Sequence, residues 1–269
     1  MRAFARRSAL LAMILTVTVF GFFAAALMDA FYPSQGKDTV SGGNVTIDKS
    51  HISEGYILIK HKETTKDLRV QISKGSTKLT YALNGDGEYE VYPLQLGNGT
   101  YTVTVYISTG SNRYAAKLSK KFKVNLKDEL SPYLCPNQYV WYQEDSETVR
   151  LAKELCEGKT DAEMFEAVCA YVSTHVTYDF FKAMSVKKDY LPVPDETLET
   201  GQGICFDYAV LACAMLRSQG VPCRLEIGYA DKTYHAWISA YINGEWQRND
   251  PTYTSTGAAA KTYTLERWY

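Results

Sequence analysis

Two hydrophobic periods divide the chain. From Asn44 to about Leu126 apolar residues fall at alternate positions. Leu68, Val70 and Ile72 alternate with polar neighbours, as do Tyr101, Val103, Val105 and Ile107, and Phe122, Val124 and Leu126. That spacing puts one set of side chains on one face of a strand. Asn84-Gly85-Asp86-Gly87 and Asn98-Gly99 suit the positive φ of tight hairpins. About seven short strands without a helical stretch predict a small β-sandwich, immunoglobulin-like in plan, over residues 44–126. Many of the 21 tyrosines fall in these strands, where an amphipathic ring suits a half-buried face.

Beyond Lys127 the period becomes helical. Val149, Ala152, Leu155 and Cys156 share a face, with Gly158 as a stop. Thr160-Asp-Ala-Glu163 forms a capping box for a helix carrying Phe165, Val168, Cys169, Val172 and Val176. Residues 183–200, with Pro192 and Pro194, read as irregular. Cys205–Ser218 is apolar on nearly every side and predicts a central buried helix, ended by Gly220-Val-Pro222. Strands are expected at Arg224–Tyr229, Ala236–Ile242 and Glu245–Arg248, the last two joined by an Asn243-Gly244 hairpin. Helices followed by strands imply an α+β domain over residues 127–269.

The first thirty residues are a different object. Arg2, Arg6 and Arg7 precede an uncharged run from Ser8 to Met28, which Asp29 ends. A helix of that length rises about 30 Å, enough to cross a bilayer core. Residues 1–30 are expected to be a signal anchor or a signal peptide, the anchor fitting the length better, with residues 31–43 a linker. Either places the remainder outside the cytoplasm, membrane-attached or secreted. The chain as a whole is near neutral, at −1. That gives no basic stripe for nucleic acid, which is excluded as a partner. Asn44-Val-Thr and Asn98-Gly-Thr match the glycosylation sequon.

Three short segments carry chemistry. Cys205 follows Gly201-Gln-Gly203-Ile and opens the buried helix, where the positive end of the macrodipole favours thiolate. His235 starts a strand in Tyr234-His-Ala-Trp237, and Asp250 follows the next strand. The Asn243-Gly244 register sets residue 237 opposite residue 250, making His235 and Asp250 cross-strand neighbours. A carboxylate beside imidazole fixes its tautomer, and the imidazolium holds a nearby thiolate. Cys169 and Cys213, inside apolar helices, read as inert core, and Cys223 as strand filler. Cys135 and Cys156 are the candidates for a disulfide, with a free pair the alternative. Cys205, Cys213, Cys223 and His235 lack the short Cys pairs of zinc sites, so no metal is expected.

With these segments on the page, residues 145–255 resemble the transglutaminase-like superfamily, a papain-like Cys-His-Asp fold. The resemblance rests on Tyr171 to Tyr178-Asp179, on Thr200-Gly-Gln-Gly-Ile-Cys205-Phe-Asp-Tyr-Ala209, and on Leu216-Arg-Ser-Gln-Gly-Val-Pro-Cys-Arg224 with Gly228-Tyr229. His235-Ala-Trp237 and Trp246 with Asp250-Pro-Thr252 complete it. The sequence departs at Gln202, where the family commonly has a basic residue, and at Asn249, where an apolar one is usual. The resemblance implies Cys205 as nucleophile, His235 as general base and acid, and Asp250 as orienting carboxylate. Part of the oxyanion site would be the Cys205 backbone N–H, with Gln202 a candidate second donor. It further implies acyl transfer through a thioester on a protein or peptide amide, cell-surface proteins among them, resolved by water (peptidase or amidase) or by an amine (transglutaminase). No cofactor is implied. The alternative is a non-catalytic surface binding protein built on the same scaffold.

Overall fold

The computed structural model describes residues 32, 34–187 and 189–269. The expected membrane segment, residues 8–28, lies outside them. Among the described residues no helix is long and apolar enough to cross a membrane.

The first half forms eight strands: β1 (Thr39–Gly42), β2 (Val45–Asp48), β3 (Tyr56–His61), β4 (Leu68–Lys74), β5 (Thr77–Leu83), β6 (Glu90–Pro93), β7 (Gly99–Gly110) and β8 (Arg113–Val124). They pair antiparallel in two four-stranded sheets, ordered β1-β2-β3-β6 and β5-β4-β7-β8, consistent with a β-sandwich. The alternation holds: Leu68, Val70 and Ile72 are buried on β4, and Tyr101, Val103, Val105 and Ile107 on β7. β1 falls within the stretch expected to be linker.

The turns depart from expectation. Residues 84–89 carry the chain from one sheet to the other, so they close no hairpin. Asn98-Gly99 opens β7, because the Asn98 side chain has other work: Oδ1 accepts from the Leu126 amide and Nδ2 donates to Glu129. The tight β7–β8 turn is instead Ser111-Asn112, at φ 52° and 57°.

The second half holds α1 (Glu147–Cys156), α2 (Asp161–His175), β9 (Thr177–Tyr178), α3 (Phe180–Ser185), α4 (Pro194–Thr200), β10 (Gln202–Gly203), α5 (Cys205–Ser218), β11 (Cys223–Ala230), β12 (Thr233–Ile242), β13 (Glu245–Asn249), α6 (Pro251–Thr256) and β14 (Tyr263–Trp268). The Thr160–Glu163 capping box is formed. Asn243-Gly244 makes the β12–β13 hairpin, with φ 53° and 90°. β11–β14 form a sheet ordered β13-β12-β11-β14. Every residue of α5 from Asp207 to Arg217 is buried. Leu225, Ile227, Ala236 and Ile238 are buried in the same cluster. The stretch expected to be irregular contains α3 and α4, both too short to register as a period.

The halves share one apolar core, running from Ile47, Val70 and Tyr81 through Tyr142 and Val168 to Val210, Ile238 and Tyr269. Tyr269 stacks on Tyr139 at 3.8 Å and meets Tyr81 edge-on at 5.3 Å. At the C-terminal end of α5 the buried Arg217 guanidinium donates to three main-chain oxygens. These belong to Cys223 (2.9 Å), Cys135 (2.8 Å) and Tyr269 (2.7 Å). Of the two alternatives for Cys135 and Cys156 the free pair is the one found, and all six cysteines are free. Cys135 packs with Tyr56, Leu58 and Val91, whereas Cys156 belongs to the main cluster.

Candidate active site

The site is assembled where the N-terminus of α5 meets the sheet. Ahead of Cys205 the chain makes a short parallel bridge, Gln202 with Thr177 and Gly203 with Tyr178, setting the Val-Thr-Tyr-Asp turn beside it. Residue 203 must be glycine, because a Cβ there would lie 2.5 Å from the Asp207 Cβ. The close approach lets fully buried Asp207 lock the loop. Oδ2 accepts from the Ile204 amide at 2.7 Å, and Oδ1 accepts from Lys182 Nζ at 2.9 Å and from the Tyr190 hydroxyl. The nucleophile loop and α3 are thereby tied to one carboxylate. Cys205 is the first residue of α5 and half-buried.

His235 and Asp250 come from opposite sides of the β12–β13 hairpin. Ile238 pairs with Asn249, so the register continues to Trp237 opposite Asp250. His235 Nε2 lies 2.8 Å from Asp250 Oδ2, the two side chains being 4% and 8% exposed. The Cys205 sulfur is the other group close enough to act on the ring. With Nε2 engaged by Asp250, Nδ1 is the nitrogen left to face that sulfur. Burial alone would lower the imidazole pKa. The Asp250 hydrogen bond and then the Cys205 sulfur outweigh it and push His235 up to about 9.

Asp250 caps α6, with Oδ1 accepting from the Tyr253 amide at 3.2 Å. The Tyr253 ring stacks on His235, centroids 4.5 Å apart and planes 20° apart. Trp237 lies near-parallel to His235 at 6.4 Å. Its Nε1 donates to Glu226, which also accepts from Ser239. A third donor to the triad carboxylate comes from the last strand: the Tyr263 hydroxyl reaches Asp250 Oδ2 at 2.8 Å. The structure therefore brings Cys205, His235 and Asp250 together. Gln202 is exposed on β10, and its hydrogen bonds run through its main chain to Thr200.

Sequence reasoning missed Asp207, Lys182, Tyr190, Tyr253 and Tyr263. Asp207 was findable as a helix N3 acid, whereas Tyr263 sits in a mostly polar segment with no pattern. Beside the site α3 presents Phe180, Phe181 and Met184 to solvent at 68%, 81% and 79% exposure. Tyr178, a near neighbour of Cys205, meets Phe180 edge-on at 4.9 Å.

The cysteine at a helix start, the histidine on the adjoining sheet and the carboxylate behind it thus lie in one place. Residues 149–251 match the family model of the transglutaminase-like superfamily. Human kyphoscoliosis peptidase is 29% identical over 113 residues, 38% of this chain and 17% of that protein. A UPF0252 protein of Methanocaldococcus jannaschii is 25% identical over 112 residues, 37% of this chain and 32% of its own. The matches thus span less than a third of either relative. A solved structure from Cytophaga hutchinsonii, provisionally assigned as a cysteine protease, aligns over 80% of this chain and 78% of its own, with 17% identity and a TM-score of 0.42.

Proposed function

We propose that the protein is an extracytoplasmic thiol enzyme, attached to the membrane through residues 8–28 or released by cleavage there, which transfers acyl groups from protein or peptide amides. The observation that supports it is the buried His235–Asp250 hydrogen bond beside Cys205, the first residue of α5. Cys205 attacks the amide carbonyl as thiolate. The oxyanion is met by the Cys205 N–H, one of the unpaired amides that open any helix. Gln202 is the candidate for a second donor. His235, protonated through Nδ1, gives its proton to the departing amine, and Asp250 holds the imidazolium meanwhile. The thioester then passes to water, with His235 as base, or to an incoming amine.

The test is trapping the acyl-enzyme on Cys205 from a peptide library, resolved by mass spectrometry. Acylation that stops in Cys205→Ala supports the reading, and amine-probe incorporation identifies the transferase form. Full cellular function in Cys205→Ala would favour a binding role instead. Iodoacetamide should label Cys205 well ahead of Cys169, whose thiol burial pushes up beyond the ordinary range. Equal labelling would sink the activated-thiolate step.

A further inference from the structure

We propose that Tyr263, on the strand that follows the family-matched segment, is a positioning residue for the Asp250–His235 pair, making the site a four-residue relay. The inference rests on the thiol-enzyme reading above. Its first support is geometric: Tyr263 donates to Asp250 Oδ2, the oxygen that also accepts from His235 Nε2. The carboxylate is thereby held at three points, with the Tyr253 amide on Oδ1. Without the phenol, the oxygen facing the imidazole is fixed by the imidazole alone.

The ring that carries this hydroxyl is itself fixed. Trp237 meets it edge-on at 4.9 Å, and the Arg248 guanidinium lies 4.0 Å over it. On β14 the residues from Thr264 to Arg267 are exposed, so the strand sends Tyr263 and Trp268 inward and little else.

A second, independent observation lies in β11. Gly228 pairs with His235 on one side and Leu265 on the other, so it stands between β14 and the histidine. A Cβ at residue 228 would sit 2.0 Å from the Thr264 carbonyl oxygen. The strand bearing Tyr263 is drawn against the sheet more closely than any side chain there allows. Burial, then the bond to Asp250, raises the phenol pKa, so it stays protonated and able to donate across the working range.

Tyr263→Phe keeps the ring that Trp237 and Arg248 contact and removes only the donor. The groups that face His235 are Cys205 from α5, Asp250 after β13, Tyr253 from α6 and Trp237 from β12. Glu226 and Arg248 act through Trp237 and Tyr263. All are unchanged in the variant, so a moved titration reports the lost hydrogen bond. Two readings are taken on the full chain between pH 5 and 10: His235 titration by NMR, and iodoacetamide alkylation of Cys205. Tyr234→Phe, an exposed tyrosine bonded to Arg267, is the control. In Tyr263→Phe the His235 midpoint should fall by about half a pH unit, a roughly threefold change in equilibrium, and Tyr234→Phe should match the parent. A midpoint that stays put or rises overturns the inference. A parent whose Cys205 alkylates no faster than Cys169 overturns the thiol-enzyme reading, while the NMR midpoint still judges the role of Tyr263.

Discussion

Replacing Asp250 by Asn removes the charge behind His235 and keeps the shape. The single amide oxygen can take the Oδ2 place and still accept from Nε2–H, while the NH2 displaces the Tyr253 amide bond, so the loss is the charge and one capping hydrogen bond. In the folded chain His235 stands at about 9 against an ordinary 6.5. At about 1.4 kcal/mol per pH unit, that gap corresponds to roughly 3 kcal/mol in favour of the imidazolium. Part of it belongs to the Cys205 sulfur and part is lost to screening, leaving about 1.5 kcal/mol for Asp250. Because the folded value is raised, this stabilisation is fully present below pH 6.5 and is lost as pH climbs through 9. Two results should follow in Asp250→Asn. The upper limb of the Cys205 alkylation profile should move down by about one pH unit. The loss of folding stability on going from pH 6.5 to pH 9.5, read by urea unfolding, should shrink by about 1.5 kcal/mol. An alkylation profile overlaying the parent, with unchanged pH dependence of stability, would refute the ion-pair account.

Two further variants test the scaffold. Arg217→Met strands three main-chain acceptors, and relief from burying the guanidinium offsets only part of that. A loss of about 3 kcal/mol in urea unfolding is expected, and one below about 1 kcal/mol would show that the carbonyls find other partners. Gly228→Ala forces a Cβ against Thr264, so β14 must shift, at a cost of about 2 kcal/mol. The His235 midpoint should fall as in Tyr263→Phe, and an undisturbed midpoint would mean that β14 does not bear on the triad.

The elements that position the triad were legible because each obeys a local rule. α5 is apolar on all sides, β12 and β13 flank an Asn-Gly turn, and one pairing register carries His235 to Asp250. Where the sequence misled, tertiary contacts had reassigned a residue with a strong local preference. Asn98 looks like a hairpin residue but serves Leu126 and Glu129. The 84–89 loop has hairpin composition yet crosses between sheets. β14 was invisible because its exposed positions show no period, and its one important side chain acts through a hydroxyl. Cys135 and Cys156 are matched by count and apparent location, but different packing clusters hold them.

The Arg217 contact has a practical consequence. Three segments far apart in sequence, at residues 135, 223 and 269, are gathered on one guanidinium where small exported domains commonly use a cystine. A guanidinium staple is indifferent to thiols. The reductants that keep Cys205 free of oxidation can therefore be used without loosening the scaffold, and oxidants will report on the half-buried Cys205 before they report on the fold.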